Sequence, residues 1–258
     1  MKRIAVKIAY QGKEFCGSQI QPGVRTVVGS VLADLAKIMD RPRKWFDLKM
    51  AGRTDRGVNA LGNVAVFNVS IEDPKRLLGA LNNVSKDLFY RSFAFVDESF
   101  EPRHASSRTY RYFLPAEGHD IDRVNECARL FTGEHDFKRF CKNDERSTVL
   151  TITSTDVNIF GDLIAIEFKA SHFLWNMIRR MAAAISSVGM GRSSIEDVRR
   201  ALDGDDISFG LARPDGLFFV GADYDWLEFT DAEIPGKRTD DDTFRIAMEN
   251  EFFRSIKQ

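Results

Sequence analysis

Residues 3–10, RIAVKIAY, place an apolar side chain at every second position from Ile4 to Tyr10. This alternation predicts a half-buried β-strand. A helix is predicted next, over residues 26–39, because Thr26 is a good N-cap and the apolar residues after it recur at helical spacing. The strand and the helix are the first two elements of a longer pattern.

The rest of the first half completes that pattern. Strands are predicted at 46–50, 64–69 and 88–95, and a second helix at 73–84, with Asp73 as its N-cap. The order strand, helix, strand, strand, helix, strand is typical of ferredoxin-like domains. Such a sheet has one open face, and an open face suits single-stranded or looped RNA.

The second half repeats the pattern more loosely. Its predicted strands are 106–114, 148–157, 163–169 and 217–224, and its predicted helices are 120–131, 172–189 and 194–204. We therefore predict an α+β protein of two ferredoxin-like halves, whose antiparallel sheets are related by a pseudo-twofold axis with a cleft between them. The predicted domains are 1–103, 104–224 and a C-terminal extension, 225–258, that is partly helical near 243–255.

The charge of the chain is distributed unevenly. The net charge is only −1, yet residues 1–115 hold 19 lysines and arginines against 11 acids, whereas residues 116–258 hold 18 against 27. A local basic excess is consistent with a surface that binds nucleic acid, and equally with uneven composition that has no function.

The cysteines, histidines and hydropathy exclude several classes of protein. Cys16, Cys127 and Cys141 form no CxxC pair, and the four histidines lack HExxH spacing. These features predict reduced thiols in a cytoplasmic protein and no metal site. The N-terminus lacks the apolar run of a signal peptide, and no stretch approaches the roughly 20 apolar residues of a membrane span, so we predict no membrane association.

The segment with the densest chemistry is AGRTDRGVNA, residues 51–60, between two predicted strands. It holds Arg53, Asp55 and Arg56 within four positions, and its glycines let the backbone turn sharply. A carboxylate between two guanidinium groups stays ionised, and guanidinium groups also bind phosphates. The same residues fit an Asx-turn with solvated arginines, so this segment alone leaves both interpretations open.

The segment resembles the nucleophile motif AGRTDxGVHA of the TruA family of tRNA pseudouridine synthases. Three residues depart from the family pattern: Gln11, Ser18 and Asn59 stand where Asp, Trp and His are usual. These departures leave the target uridine open. Five further segments resemble motifs of that family, in the family's order: YQGKEFCGSQIQPGVRTVVG (10–29), RTYRYFL (108–114), FTGEHDFKRF (131–140), FLWNMIRRM (173–181) and LARPDGLFFVGADY (211–224).

The resemblance implies roles for single residues. Asp55 matches the catalytic aspartate, Tyr110 the tyrosine that stacks on the target base, and Arg179 the basic residue that pairs with the aspartate. Arg53 matches the arginine that fills the space of the flipped base. The resemblance also implies tRNA as the partner, a homodimer, and targets at tRNA nucleotides 38–40 in the anticodon stem-loop. The other RNA contacts that we predict are Arg56, Gln19 and Arg25.

The implied reaction breaks the N1–C1′ bond of uridine and forms a C5–C1′ bond. It involves no redox change and no phosphate transfer, so we expect no cofactor, metal or nucleotide. Asp55 could add to the sugar or base as a nucleophile, or remove the C2′ proton and open a glycal route. Tyr110 is a candidate base for the C5 proton. Of Tyr110 and Tyr112 on this strand, we expect only one to face the cleft, with the other on the opposite side of the sheet, and the family match selects Tyr110.

Three other functions remain open at this level. The chain could be a noncatalytic RNA-binding module, although it lacks the clustered aromatic motif of RRM-type sheets. It could be a glycosidase, which needs a second carboxylate near Asp55, and Asp47 is the nearest in sequence. It could also be a pseudouridine synthase that acts on another RNA site.

Overall fold

The computed structural model describes residues 2–142 and 147–234, together with 239, 240, 243, 246 and 248. Within the described residues up to 234, the chain forms ten strands and five α-helices. The strands are β1 (Lys2–Tyr10), β2 (Lys49–Met50), β3 (Asn59–Val69), β4 (Leu88–Val96), β5 (Ser107–Pro115), β6 (Gly133–Asp136), β7 (Val149–Phe160), β8 (Leu163–Ala170), β9 (Leu217–Asp223) and β10 (Thr230–Asp231). The helices are α1 (Val27–Met39), α2 (Pro74–Val84), α3 (Ile121–Arg129), α4 (Met177–Gly189) and α5 (Ile195–Leu202).

The strands of both halves form one mixed, mostly antiparallel sheet, in the order β10-β4-β1-β3-β9-β5-β8-β7-β6, with β2 paired to β3. The prediction of two separate sheets is wrong, because the strands of both halves are hydrogen-bonded into one. The halves join where Asn59 and Ala60 of β3 pair in parallel with Phe218 and Phe219 of β9. At this junction Gly62 allows close approach, because a Cβ there would lie 2.7 Å from the Val220 carbonyl oxygen.

Two hydrophobic cores lie in the molecule, one for each half. In the first, Leu35 of α1 and Leu77 of α2 are buried with Phe67 of β3. In the second, Ile185 of α4 is buried with Phe168 of β8. Burying one such side chain stabilises the folded state by about 1.5–3 kcal/mol, so the helices are held on the sheet mainly by these apolar residues.

The predicted starts of α1, α2, α3 and α5 are confirmed, and each of these helices begins at a capping side chain. The Thr26 side chain accepts from the Gly29 N–H, and Asp73 and Asp120 each accept from two backbone N–H groups of the first turn. Ser194 begins α5 with a reciprocal capping box. These side chains satisfy N–H groups that have no partner within the helix.

The strand predicted at 46–50 is wrong in most of its length. Residues Arg43–Phe46 form a 3₁₀ turn, and Asp47 follows with a left-handed backbone, φ 43°. The guanidinium group of buried Arg3 donates both to the Asp47 carboxylate at 2.8 Å and to its carbonyl at 3.0 Å. These contacts hold the bend and leave only Lys49–Met50 as a strand.

The helix predicted at 172–189 begins five residues later than expected, at Met177. Asn176, just before it, is left-handed with φ 62° and ψ 5°, and residues 172–175 are not helical. In the predicted C-terminal extension, β10 pairs with β4. Residues 243, 246 and 248 are helical, and the rest of the helix predicted near 243–255 lies outside the described residues. Among the residues described, no helix has the length and apolar character to cross a membrane.

Candidate active site

A cavity of about 900 Å³ lies where the two halves meet. Its walls come from the loop before α1, the 51–58 loop, strand β5 and the segment that enters α4. Among the described residues that line it, Asp55 is the only carboxylate. The arginines that line it are Arg53, Arg56, Arg103, Arg108 and Arg179. The positive charge of these arginines attracts anions, and the single carboxylate lies among the arginines.

The loop that carries Asp55 is anchored through its neighbour Thr54. Thr54 is buried, and its hydroxyl forms a 2.9 Å hydrogen bond with the Tyr10 hydroxyl. Its backbone N–H donates to Ser18 Oγ, and its carbonyl accepts from the Ser18 N–H, both at 2.9 Å. The buried threonine therefore fixes the loop, while Asp55 on its C-terminal side is exposed.

The Asp55 carboxylate has a hydrogen bond from an unexpected residue. Trp175 Nε1 donates to Asp55 Oδ2 at 3.2 Å. The predicted pair between Arg179 and Asp55 is not formed: within the part of the chain that the structure describes, no ion pair joins them. Arg179 Nε instead donates to the Ala212 carbonyl at 2.7 Å, and the Ala212 N–H donates to the Arg179 carbonyl at 3.2 Å. Arg179 thus contributes charge to the cavity without touching the carboxylate.

Tyr110 lines the cavity and is packed by other rings. It stacks on Phe219 with a centroid distance of 4.8 Å and meets the edge of Phe173 at 5.2 Å. Burial raises the pKa of the Tyr110 hydroxyl most strongly; nearby Tyr10 raises it further, Arg108 lowers it, and Asp55 makes the smallest contribution, a rise. The phenol is therefore neutral at physiological pH.

Tyr112 occupies a different environment from Tyr110. It is buried in the second core, does not line the cavity, and donates from its hydroxyl to the Arg213 carbonyl at 2.8 Å. Burial raises its pKa to about 12, with Asp215 adding to the rise and Arg179 opposing it. The structure thus places Tyr110 in the cavity and Tyr112 outside it, as the family match had selected.

The other predicted RNA contacts are divided between the cavity and its surroundings. Arg53 and Arg56 are exposed in the cavity lining, and Gln19 Oε1 accepts from Arg53 Nε at 3.1 Å when its amide oxygen faces the guanidinium. Arg25 does not line the cavity. It forms an ion pair with Asp87 at 2.5 Å and packs over the Phe15 ring at 4.8 Å.

Comparisons with known proteins now bear on this geometry. The model of the tRNA pseudouridine synthase family matches residues 127–225. A Pyrococcus abyssi protein named tRNA pseudouridine synthase A is 41% identical over 88% of this chain and 86% of its own length. A Pyrococcus horikoshii protein of the same name is 38% identical over 98% of this chain and 95% of its own. This chain belongs to the tRNA pseudouridine synthase A family.

The family membership confirms the resemblance inferred from the sequence motifs. Among solved structures, an archaeal box H/ACA sRNP Nop10–Cbf5 complex aligns at 11% identity over 71% of this chain and 43% of that chain, with a TM-score of 0.35. A superposition this loose supports no conclusion. The family assignment therefore depends on the sequence relatives.

Two residues that depart from the synthase motifs have structural roles here. Ser18, where the family usually has Trp, is buried and holds Thr54 as described above. Asn59, where the family usually has His, accepts from the Gly12 N–H at 2.9 Å and donates to the Asp215 carbonyl at 2.8 Å. Both substitutions thus keep the synthase cavity assembled through hydrogen bonds.

Three residues of the cavity were missed by sequence reasoning. Arg108 donates to the carbonyls of Ser171 and Arg103, which ties strand β5 to the segment before α4. Trp175 contacts Asp55 from that same segment. Arg108 and Trp175 lie inside the quoted synthase motifs, but no local pattern distinguishes them from their neighbours, and Arg103 lies outside those motifs.

Proposed function

We propose that this protein isomerises uridine to pseudouridine in the anticodon stem-loop of tRNA, at nucleotides 38–40, with Asp55 as the essential carboxylate. One observation carries the assignment of Asp55: it is the single carboxylate among the described residues of a cavity otherwise rich in arginine. The arginines suit an anionic RNA, and the reaction needs one acid.

The chemistry has two routes that use the same carboxylate. As a nucleophile, Asp55 adds to the sugar or the base; as a base, it removes the C2′ proton and opens a glycal. In both routes the N1–C1′ bond breaks, the uracil turns, and C5 bonds to C1′. Oδ2 of Asp55 accepts from Trp175, so Oδ1 is the oxygen free to act.

The last step removes the C5 proton: its bonding electrons form the C5=C6 double bond as the N1=C6 electrons return to N1, which takes up a proton from water. Tyr110 is kept neutral, so its oxygen can take this proton only while its own proton leaves. Asp55 is the acceptor that we assign, since it is the only carboxylate among the described residues that line the cavity with Tyr110. Tyr110 thus serves as a relay in the proposal, and Asp55 holds the proton until release.

The target base must leave its stack before either group can reach it. Flipping costs a few kcal/mol, and less in a loop than in a duplex. Stacking of the uracil on the Tyr110 ring returns about 1–3 kcal/mol. Arg53, exposed at the cavity rim and supported by Gln19, fills the space that the base leaves.

The proposal also covers the domain organisation and the oligomeric state of the protein. The two halves, 1–103 and 104–224, are ferredoxin-like domains related by a pseudo-twofold axis. In support, the strand order β4-β1-β3-β2 of the first half parallels β9-β5-β8-β7 in the second. The enzyme is a cytoplasmic homodimer whose two subunits share one tRNA, and residues 225–258 form a C-terminal extension.

The decisive experiment is tritium release from tRNA that carries uridine tritiated at C5. The parent should release tritium, and Asp55→Asn should release none while binding tRNA within a few-fold of the parent. Asp203→Asn, an exposed acid at the end of α5, is the control and should match the parent. Appreciable turnover by Asp55→Asn would refute the assignment.

Other functions predict different results in the same assay. A noncatalytic RNA-binding protein releases no tritium in the parent form. A glycosidase needs a second acid, and Asp47 does not line the cavity but is held by buried Arg3. A synthase for another RNA site releases tritium from that RNA alone, so mapping pseudouridine in cellular tRNA with and without this gene identifies the target.

A further inference from the structure

Trp175 contacts Asp55, yet the proposed function gives it no step of the reaction. Its indole N–H donates to Asp55 Oδ2 at 3.2 Å, a bond that joins the second half of the molecule to the catalytic loop of the first. The side chain is 48% exposed, so burial in a core does not fix its position. The contact itself therefore calls for a function.

The backbone is bent in a way that presents Trp175 to the cavity. Asn176 is left-handed, a conformation that asparagine tolerates better than most residues, and it stops α4 from extending backwards. The Lys142 N–H donates to the Trp175 carbonyl at 2.8 Å, and the Met177 N–H to the Leu174 carbonyl at 3.1 Å. These bonds hold the tryptophan backbone on both sides of the bend.

The Trp175 ring also has a lysine over one of its faces. Lys142 Nζ lies 4.1 Å from the ring centroid, within cation–π range. A cation on the face of an indole draws electron density from the ring and makes its N–H a stronger donor. The same lysine thus restrains the tryptophan through its backbone and strengthens the bond to Asp55 through its side chain.

We propose that Trp175 is a positioning residue for Asp55, an inference that rests on the proposed function. It fixes Oδ2 of an otherwise exposed carboxylate and turns Oδ1 towards the substrate. An exposed carboxylate without such a donor rotates freely, and each turnover must then select the productive rotamer. Lys142 supports the tryptophan and does not touch the carboxylate.

A direct contact of the Trp175 ring with RNA is the main rival role. The geometry favours positioning, because the N–H is directed at the carboxylate and the cation of Lys142 lies over the ring. The two roles differ in what they change. Loss of a positioning bond lowers kcat and leaves tRNA affinity intact, whereas loss of a stacking platform weakens binding.

Trp175→Phe keeps an aromatic ring and removes only the N–H donor. We expect its kcat to fall by about tenfold, the factor that one net hydrogen bond supplies, with KM and tRNA affinity within about twofold. Trp175→His keeps a ring N–H and should recover part of that loss. Lys142→Met should lower kcat in the same direction by a smaller factor. Trp226→Phe, at another exposed tryptophan outside the cavity, is the matched control and should equal the parent.

These measurements distinguish the positioning role from the RNA contact, provided that thermal unfolding shows each variant to be folded. An unchanged kcat in Trp175→Phe, or an equal loss of affinity, overturns the inference. A parent without tritium release would refute the proposed function instead. In that case the contact can be tested without turnover. The double variant Trp45→Phe, Trp226→Phe leaves Trp175 as the single tryptophan, and adding Asp55→Ala to it should shift the fluorescence emission of Trp175. An unchanged emission spectrum means that the contact is absent in solution.

Discussion

Ser18 and Thr54 hold each other through two hydrogen bonds of 2.9 Å: the Ser18 N–H donates to the Thr54 carbonyl, and the Thr54 N–H donates to Ser18 Oγ. Both residues are buried, and Asp55 directly follows Thr54 in the chain. The position of Asp55, the proposed catalytic carboxylate, therefore depends on a serine that lies 37 residues earlier, where the family motif that this sequence resembles has a tryptophan.

Ser18→Ala should destabilise the protein and slow turnover. The substitution leaves the buried Thr54 N–H without its acceptor, which costs about 1–3 kcal/mol, and it loosens the Asp55 loop. Chemical unfolding and tritium release measure the two effects. Ser106→Ala removes an exposed bond to the Asp223 carbonyl and should cost less than about 1 kcal/mol with normal turnover. Equal losses in both variants would contradict this explanation.

Tyr110→Phe should bind tRNA normally and lose turnover by about 100-fold or more, because the ring still stacks while the proton relay is gone. Tyr110→Ala should also weaken binding, through lost stacking. Tyr112→Phe loses a bond to the Arg213 carbonyl outside the cavity and should keep near-parent turnover, with slightly lower stability. The assays are single-turnover kinetics and filter binding on one tRNA. An inactive Tyr112→Phe beside a normal Tyr110→Phe would reverse the assignment.

Arg179→Lys and Arg179→Met should separate the charge of this residue from its bond to Ala212. The lysine keeps a cation in the cavity but loses the Nε donor, so stability should fall by about 1 kcal/mol while tRNA affinity changes little. The methionine loses both, so affinity should fall as well. If Arg179→Met binds tRNA as tightly as the parent, the arginine contributes no charge that the RNA uses.

Binding of tRNA should weaken steeply with salt, since arginines of the cavity displace counterions from phosphates. Removing one such contact should reduce the slope of log K against log salt by roughly 1 unit or slightly less. Arg56→Met, in the cavity, should show this change. Arg199→Met, on α5 and near Glu196, should not. Parallel slopes for all three proteins would exclude Arg56 from phosphate binding.

The sequence predicted the elements whose signals are local. Thr26, Asp73 and Asp120 begin their helices as expected, because a capping side chain and helical periodicity suffice to specify a start. Two boundaries were wrong for a common reason. Asp47 and Asn176 both adopt left-handed backbone, which no local pattern of apolar residues reveals.

The cavity was predictable in part. Asp55 and Tyr110 were found because each lies in a motif, and the structure brings them to the same cavity. The partner of Asp55 was not found. Motif matching implied Arg179, but Ala212 occupies its Nε and Trp175 reaches the carboxylate instead. Which of several nearby donors contacts a carboxylate depends on distances of a few ångströms, and these arise only from the assembled sheet.

Asn59 lies at the start of β3 and bridges the two halves, with its amide oxygen facing Gly12 and its amide nitrogen facing Asp215. A histidine could make the same pair of bonds only as a neutral tautomer, with one nitrogen accepting and the other donating. Protonation near pH 6.5 would turn the accepting nitrogen into a second donor opposed to the Gly12 N–H. An amide does not titrate in this range, so this bridge holds the halves together equally well in acidic and neutral surroundings.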